Sequence, residues 1–317
     1  MKAWTLRLVG VLILLSAVAL ALSRAPDRSV ESLVARWAPP PSDFVDLGGQ
    51  LVHVRDEGPR DDPLPLVLVH GTSASLHTWE GWVKGLKDRR RVISFDLPAF
   101  GLTGPFAGRY AGRPYEGDEY ARFVLDLMDR LQVPRFAIGG NSLGGDVAWR
   151  VALLGRERVD RLILVDAGGE PFTPESFPLG WRIARIPGLR WLVEETLPRA
   201  LVAQGVATAY GHPERITPEL VDRYFELTLR EGNRKALVQR LATWNPGADA
   251  PRIRSLTLPT LVLWGGRDRL IPPATAQLFV RDIAGAKLVM FDDLGHVPHE
   301  EDPARTLVPV KEFLGIR

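Results

Sequence analysis

Phe136-Ala137-Ile138-Gly139-Gly140-Asn141-Ser142-Leu143-Gly144-Gly145 runs from a short apolar strand through a glycine-crowded turn into a stretch rich in Ala, Val and Leu. Within it, Gly140 to Gly144 spell G-x-S-x-G, a modest signal alone that gains force from the strand before it and the helix after it. A serine that merely caps the helix over 143–154 needs no glycine on both sides. Here Gly139, Gly140, Gly144 and Gly145 leave room for a sharp turn that lifts Ser142 clear of a sheet. The helix start behind it offers N–H groups and the positive end of a dipole.

Outward from this turn, strands and helices alternate. Residues 43–47 and 50–55 form a hairpin around Gly48-Gly49, and 64–69 is a continuous apolar run suited to a strand buried on both faces. A helix over 76–87, a strand over 91–95, a helix over 119–131, and a strand over 162–165 follow. Residues 170–250 break the rhythm with many prolines and amphipathic helical stretches. Then 260–264 (strand), 274–282 (helix), 287–291 (strand) and 303–314 (helix) resume it. Such alternation predicts an α/β fold with a mostly parallel sheet, and the helical insert of about 80 residues reads as a lid or cap.

A serine hydroxyl needs a base. Of the six histidines, His296 follows the last apolar strand, where a parallel sheet presents its reactive groups. His299, read as solvated near the start of the final helix, is its main rival. His53 falls in a hairpin strand as a surface or packing residue, and His212 in the insert. The imidazole needs a carboxylate to fix its tautomer. Asp268 follows the preceding strand and gives the order Ser142, Asp268, His296; Asp166, at the end of the strand after the nucleophile helix, is the alternative acid. The oxyanion donors expected are the backbone N–H groups of Leu143 and of Thr72, with Ser73 as the alternative. His70, beside Thr72, reads as a structural hydrogen-bonder.

Taken together, His70-Gly71-Thr72, Asp96-Leu97-Pro98-Ala99-Phe100-Gly101, Gly140-Asn141-Ser142-Leu143-Gly144-Gly145, Trp264-Gly265-Gly266-Arg267-Asp268 and Gly295-His296 resemble the α/β-hydrolase superfamily in its cap-bearing branch. The resemblance covers about residues 43–315. It implies an eight-stranded, mainly parallel sheet flanked by helices, with a helical cap between the sixth and seventh strands. Family members include esterases, lipases, dehalogenases, epoxide hydrolases and carbon–carbon bond hydrolases, so the fold leaves the substrate open. Ser142 argues against the dehalogenases and epoxide hydrolases, whose nucleophile is Asp. The Gly-Asn-Ser-x-Gly-Gly turn also resembles hydrolases of aromatic ring-cleavage products. Those usually carry a glycine-rich loop after His-Gly and a Trp after the histidine, where this chain has Thr72-Ser73-Ala74-Ser75 and Val297.

The expected activity is therefore a serine hydrolase cleaving carboxylic esters of a small lipophilic substrate, with no metal or organic cofactor. Two alternatives share the fold: a carbon–carbon bond hydrolase and a ligand-sensing receptor. Phe172, Phe177, Trp181, Trp191, Trp244 and Tyr210 are candidates for an apolar pocket, although aromatics at helical spacing are more often core.

Composition bounds the rest. The 317 residues contain no cysteine, which excludes a disulfide framework, a thiol nucleophile and a Cys-ligated zinc site. Lys+Arg number 40 against 38 Asp+Glu; residues 1–23 hold two of the bases and no acid, so the remainder balances. Nucleic-acid binding would need a basic surface that this chain lacks. The densest basic run, Arg89-Arg90-Arg91, reads as a solvated turn. At the N-terminus, Lys2 and Arg7 precede fifteen uncharged residues, 8–22. Fifteen is short of the ~20 that span a bilayer. It suits a secretory signal peptide or an uncleaved anchor giving membrane contact, and either reading places the protein in the cell envelope or outside it. Residues 24–42 hold a short helix, with Val30, Leu33, Val34 and Trp37 on one face, and the linker Pro39-Pro40-Pro41; the hydrolase domain is expected over 43–317.

Overall fold

The computed structural model describes residues 2–316; Met1 and Arg317, the outer ends of the expected segments, lie outside the described residues. Eight strands form one sheet: β1 (Ser42–Asp46), β2 (Leu51–Glu57), β3 (Leu66–Val69), β4 (Val92–Phe95), β5 (Phe136–Asn141), β6 (Val159–Val165), β7 (Thr260–Gly265) and β8 (Lys287–Phe291). The order is β1-β2-β4-β3-β5-β6-β7-β8. The β1–β2 and β2–β4 pairs are antiparallel, and every later pair is parallel.

The helices are α1 (Lys2–Leu22), α2 (Val30–Trp37), α3 (Glu80–Leu86), α4 (Gly117–Arg130), α5 (Leu143–Leu154), α6 (Leu179–Ala184), α7 (Arg190–Glu195), α8 (Arg199–Ala209), α9 (Pro218–Thr228), α10 (Asn233–Thr243), α11 (Ala274–Asp282), α12 (Pro298–Glu301) and α13 (Pro303–Leu314). Helices α6 to α10 lie between β6 and β7, where the insert was expected. The span 76–87 divides into a short 3-10 turn and α3.

Side-chain alternation along the central strands builds two cores. Val67 and Val69 of β3 face one side with Phe123, Val147 and Trp149 of α4 and α5. Leu66 and Leu68 face the other with Trp79, Trp82, Leu307 and Val310. A strand buried on both faces has no polar side, which is why β3 reads Leu-Val-Leu-Val. The triple arginine is less solvated than expected: Arg91 pairs with Asp56 at 2.8 Å, and Arg90 with Asp62 at 3.1 Å. The ends of β2 and of the loop before β3 supply carboxylates there.

The N-terminal segment is stitched to the cap. The Leu197 N–H donates to Ser23 O, the Ala25 N–H to Glu195 O, and the Arg28 N–H to Leu229 O. Leu33 and Trp37 of α2 are buried against Leu102 and Leu227, so the apolar face of this helix docks on the protein. Among the described residues, no helix is long and apolar enough to cross a membrane.

Candidate active site

Ser142 sits between β5 and α5 with φ 55° and ψ −116°, a conformation L-residues rarely adopt. Its backbone is over-determined. The Ser142 N–H donates to Val165 O, and its carbonyl accepts from Gly145, Asp146 and Gly168. Two glycines make the turn possible. A Cβ on Gly140 would meet Gly144 O at 2.0 Å, and one on Gly144 would meet Val69 O at 2.0 Å. The turn thus packs backbone on backbone, and the serine is not a helix cap: its side chain makes no capping hydrogen bond.

His296 lies in the loop after β8, and its Nδ1 stands 2.7 Å from Asp268 Oδ2. Both residues are buried. The other Asp268 oxygen accepts the N–H groups of Leu270 and Ile271 at 2.8 and 3.0 Å. With Nδ1–H donated to Asp268, the lone pair on Nε2 is left for chemistry. Asp268 therefore pairs with His296 rather than with Arg267 or Arg269. Ser142, His296, Thr72 and Leu143 line one cavity. Among the described residues, neither the Thr72 nor the Leu143 N–H is spent on a backbone acceptor.

His70 is buried, with Nδ1–H donating to Gly71 O and Nε2 accepting the Leu97 N–H. This ties the loop carrying Thr72 to the loop after β4. His53, fully buried, stands 2.7 Å from Asp96, a packing role. His299 corrects the sequence reading. It is fully buried rather than solvated, stacked on Trp79 at 4.0 Å and bonded through Nε2 to Thr78. Burial and the neighbouring His296 push its pKa well below the usual imidazole range, and with Nε2 bonded to Thr78 it lines neither cavity at Ser142.

Asp166 reaches the same place as Asp268. One ligand atom each from Asp166, Asp268 and His296 lie within 4.8 Å of one another. Burial and the Asp268 charge push Asp166 well above the carboxylate range. A carboxyl whose proton is held more tightly than usual, beside an acid and an imidazole already bonded to each other, is a poor donor set for a cation.

Sequence reasoning missed the residues that fasten the histidine loop. Asn141 Nδ2 donates to His296 O at 2.9 Å and to Val165 O at 3.1 Å. Glu301 accepts the N–H groups of Gly211, His212 and Gly295. The His296 N–H itself donates to Ala209 O at 2.7 Å, at the end of α8. The cap and the histidine loop are thus joined by backbone hydrogen bonds. In sequence, Glu301 is one of three consecutive acids and carries no mark of this role.

Two cavities meet at Ser142 and His296. The larger, of about 360 Å³, is lined mainly by apolar residues of α6, α7, α8 and the segments flanking them, including Phe177, Trp181, Ile183, Leu201 and Tyr210. The smaller, of about 90 Å³, is lined by Phe172, Trp244 and charged groups of α5 and α10. Five of the six candidate aromatics line a cavity, while Tyr210 is also buried in a core cluster and Phe172 and Trp181 pack against the main core. Trp191 is the exception, lying 48% exposed on the outer face.

The sequence profile of the α/β hydrolase fold matches residues 65–303. The 2-hydroxymuconate semialdehyde hydrolase of Pseudomonas sp. is 27% identical over 261 residues, which cover 79% of this chain and 86% of that protein. A crystal structure of a meta-cleavage product hydrolase from Pseudomonas fluorescens superposes with a TM-score of 0.72 at 24% identity, covering 86% of this chain and 97% of that one. A bacterial membrane phospholipase A superposes with the same TM-score at 22% identity, covering 99% of this chain and 98% of that one. At such identities these structures speak for the fold alone. The profile, spanning β3 to the first residue of α13, decides the family: the chain belongs to the α/β hydrolase fold family.

Proposed function

We propose that this hydrolase cleaves carboxylic esters through an acyl-enzyme, with Ser142 as nucleophile, His296 as base and Asp268 as its partner. The observation that carries this reading is the 2.7 Å His296–Asp268 pair opening onto the same cavity as the strained Ser142. His296 Nε2 takes the Ser142 proton as Oγ attacks the acyl carbon. The developing oxyanion accepts from the Thr72 and Leu143 N–H groups. Imidazolium then protonates the leaving alkoxide, and the C–O bond breaks. Water, deprotonated by His296, attacks the acyl-enzyme and releases the acid.

The test is turnover of p-nitrophenyl esters from acetyl to dodecanoyl, with Ser142→Ala alongside. Fast cleavage lost in the variant supports the reading, and the chain-length optimum sizes the larger cavity. Ester cleavage unchanged in Ser142→Ala overturns it. A second reading, cleavage of a carbon–carbon bond in a dienone acid, is supported by the relation to the semialdehyde hydrolase. A ring-cleavage product turned over much faster than any ester would favour it.

For location, we propose that the protein rests on a membrane surface. Outside α1 and among the described residues, five of the eight exposed large hydrophobics fall within residues 179–201: Leu179, Ile186, Leu189, Trp191 and Leu201. Arg182, Arg185 and Arg199 are exposed among them, a pattern suited to an anionic lipid surface. The exposed apolar residues of α1 leave the cap beside this face, at Ser23 to Ala25. Flotation of the full chain with anionic vesicles, weakened by Trp191→Ser and by removal of residues 1–23, supports this. Absence of flotation overturns it.

A further inference from the structure

Arg240, on α10, is buried, with 8% of its surface exposed, yet its Nε has no hydrogen-bond partner and its guanidinium forms no ion pair among the described residues. It lines the smaller cavity together with Ser142, Leu143, Thr72 and His296. The other cation there, Arg150, is fully matched. It pairs with Asp118 at 2.9 Å, Asp146 at 3.2 Å and Asp249 at 2.8 Å. Asp146, the carboxyl nearest in influence to Arg240, already accepts from Arg150. Burial raises its pKa, which disfavours its ionised form. Burial likewise lowers that of Arg240, with only Tyr120 and Asp146 opposing.

A buried, unpaired guanidinium is costly, and proteins keep such a group where something completes it. Its planar fork fits the paired oxygens of a carboxylate or phosphate. We propose that Arg240 is an anion-binding specificity residue. On the reading that Ser142 is the reacting group, the substrate places its scissile carbonyl at Ser142, its apolar chain in the larger cavity, and a carboxylate or phosphate group against Arg240. The substrate class is thereby narrowed from neutral lipophilic esters to amphiphilic esters bearing one anionic end.

Binding is measured by isothermal titration to Ser142→Ala, which removes the proposed nucleophile. The probes are monoethyl adipate, ethyl hexanoate as its neutral counterpart, and a phosphate-ended ester of the same length. An anionic probe should bind about ten-fold or more tighter than the neutral one, and the stronger of the two anions identifies the group. The preference should vanish in Ser142→Ala/Arg240→Met and survive in part in Ser142→Ala/Arg240→Lys. Without ligand, Arg240→Met should melt higher than the parent, because it removes an unpaired buried charge; an arginine held for structure alone would melt lower when replaced. Equal binding of neutral and anionic probes, a preference that survives Arg240→Met, or an Arg240→Met protein that fails to fold each overturns the proposal. Anion preference in a protein with no esterase activity would leave this site standing and remove only the ester reading.

Discussion

The carboxyl groups of Asp166 and Asp268 converge behind His296 from the ends of β6 and β7, yet only Asp268 hydrogen-bonds the imidazole. Asp166 Oδ1 accepts instead from the Gly265 N–H. The two positions should respond differently to the same substitution. Asp268→Asn should lower kcat by about 10³–10⁴-fold, by favouring the wrong imidazole tautomer. Asp166→Asn, which mimics the protonated carboxyl, should stay within about ten-fold of wild type. Steady-state kinetics of both variants decides the assignment of the acid.

The same pair carries a pH signature. A carboxyl whose pKa is raised on folding contributes stability that is present below the ordinary carboxylate range and lost as pH rises through the folded value. Asp166 is raised, so Asp166→Asn should gain on wild type as pH increases from the ordinary value of 3.8 upward. Thermal melts across that range report the widening gap.

Glu170 offers a second, separable titration. Both its carboxylate oxygens are buried without partners, and burial, with Asp282 nearby, pushes its pKa up to about 7. By the same sign, wild type loses stability as pH passes from the ordinary 4.5 through that value. Glu170→Gln should match wild type near the acid end and exceed it by about 1–3 kcal/mol above neutrality. Urea denaturation in acid and in mild base checks both halves.

Glu301→Ala should strand the N–H groups of Gly211, His212 and Gly295. Hydrogen bonds to a charged group contribute about 1.5–3 kcal/mol each, so a total loss of about 4.5–9 kcal/mol is expected for the three. Since Gly295 precedes His296, kcat should fall with stability, and Glu301→Gln should restore part of both. Paired denaturation and kinetic measurements on the two variants test this.

At the turn around Ser142, Gly140→Ala or Gly144→Ala forces a Cβ against backbone and should destabilise by more than about 3 kcal/mol. Gly180→Ala, on α6 with nothing within 4 Å, is the control and should be neutral or stabilising by up to about 1 kcal/mol. Melting temperatures of the three variants give the comparison.

What was legible in the sequence was what neighbours in the chain decide. The turn at Ser142 declares itself because strand, glycines and helix are contiguous, and Asp268 and His296 each follow an apolar strand. His299 and Glu301 were opaque because their surroundings come from far along the chain. Trp79 and Thr78 bury the one, and the cap residues Gly211 and His212 claim the other. A residue beside two acids looks solvated until a second segment arrives to cover it. Arg240 was hidden for the opposite reason: its meaning lies in a partner that the chain does not supply.

The hydrogen bond from the His296 N–H to Ala209 O changes what counts as a movable part. Residues 170–250 look like an interchangeable module, yet one end of α8 shares a bond with the His296 loop and the Glu301 carboxylate spans the seam. A chimera that imports another cap should therefore transplant residues 293–302 with it, or redesign that joint. Cap and histidine loop thus behave as one mechanical unit, joined at positions 209–212 and 301.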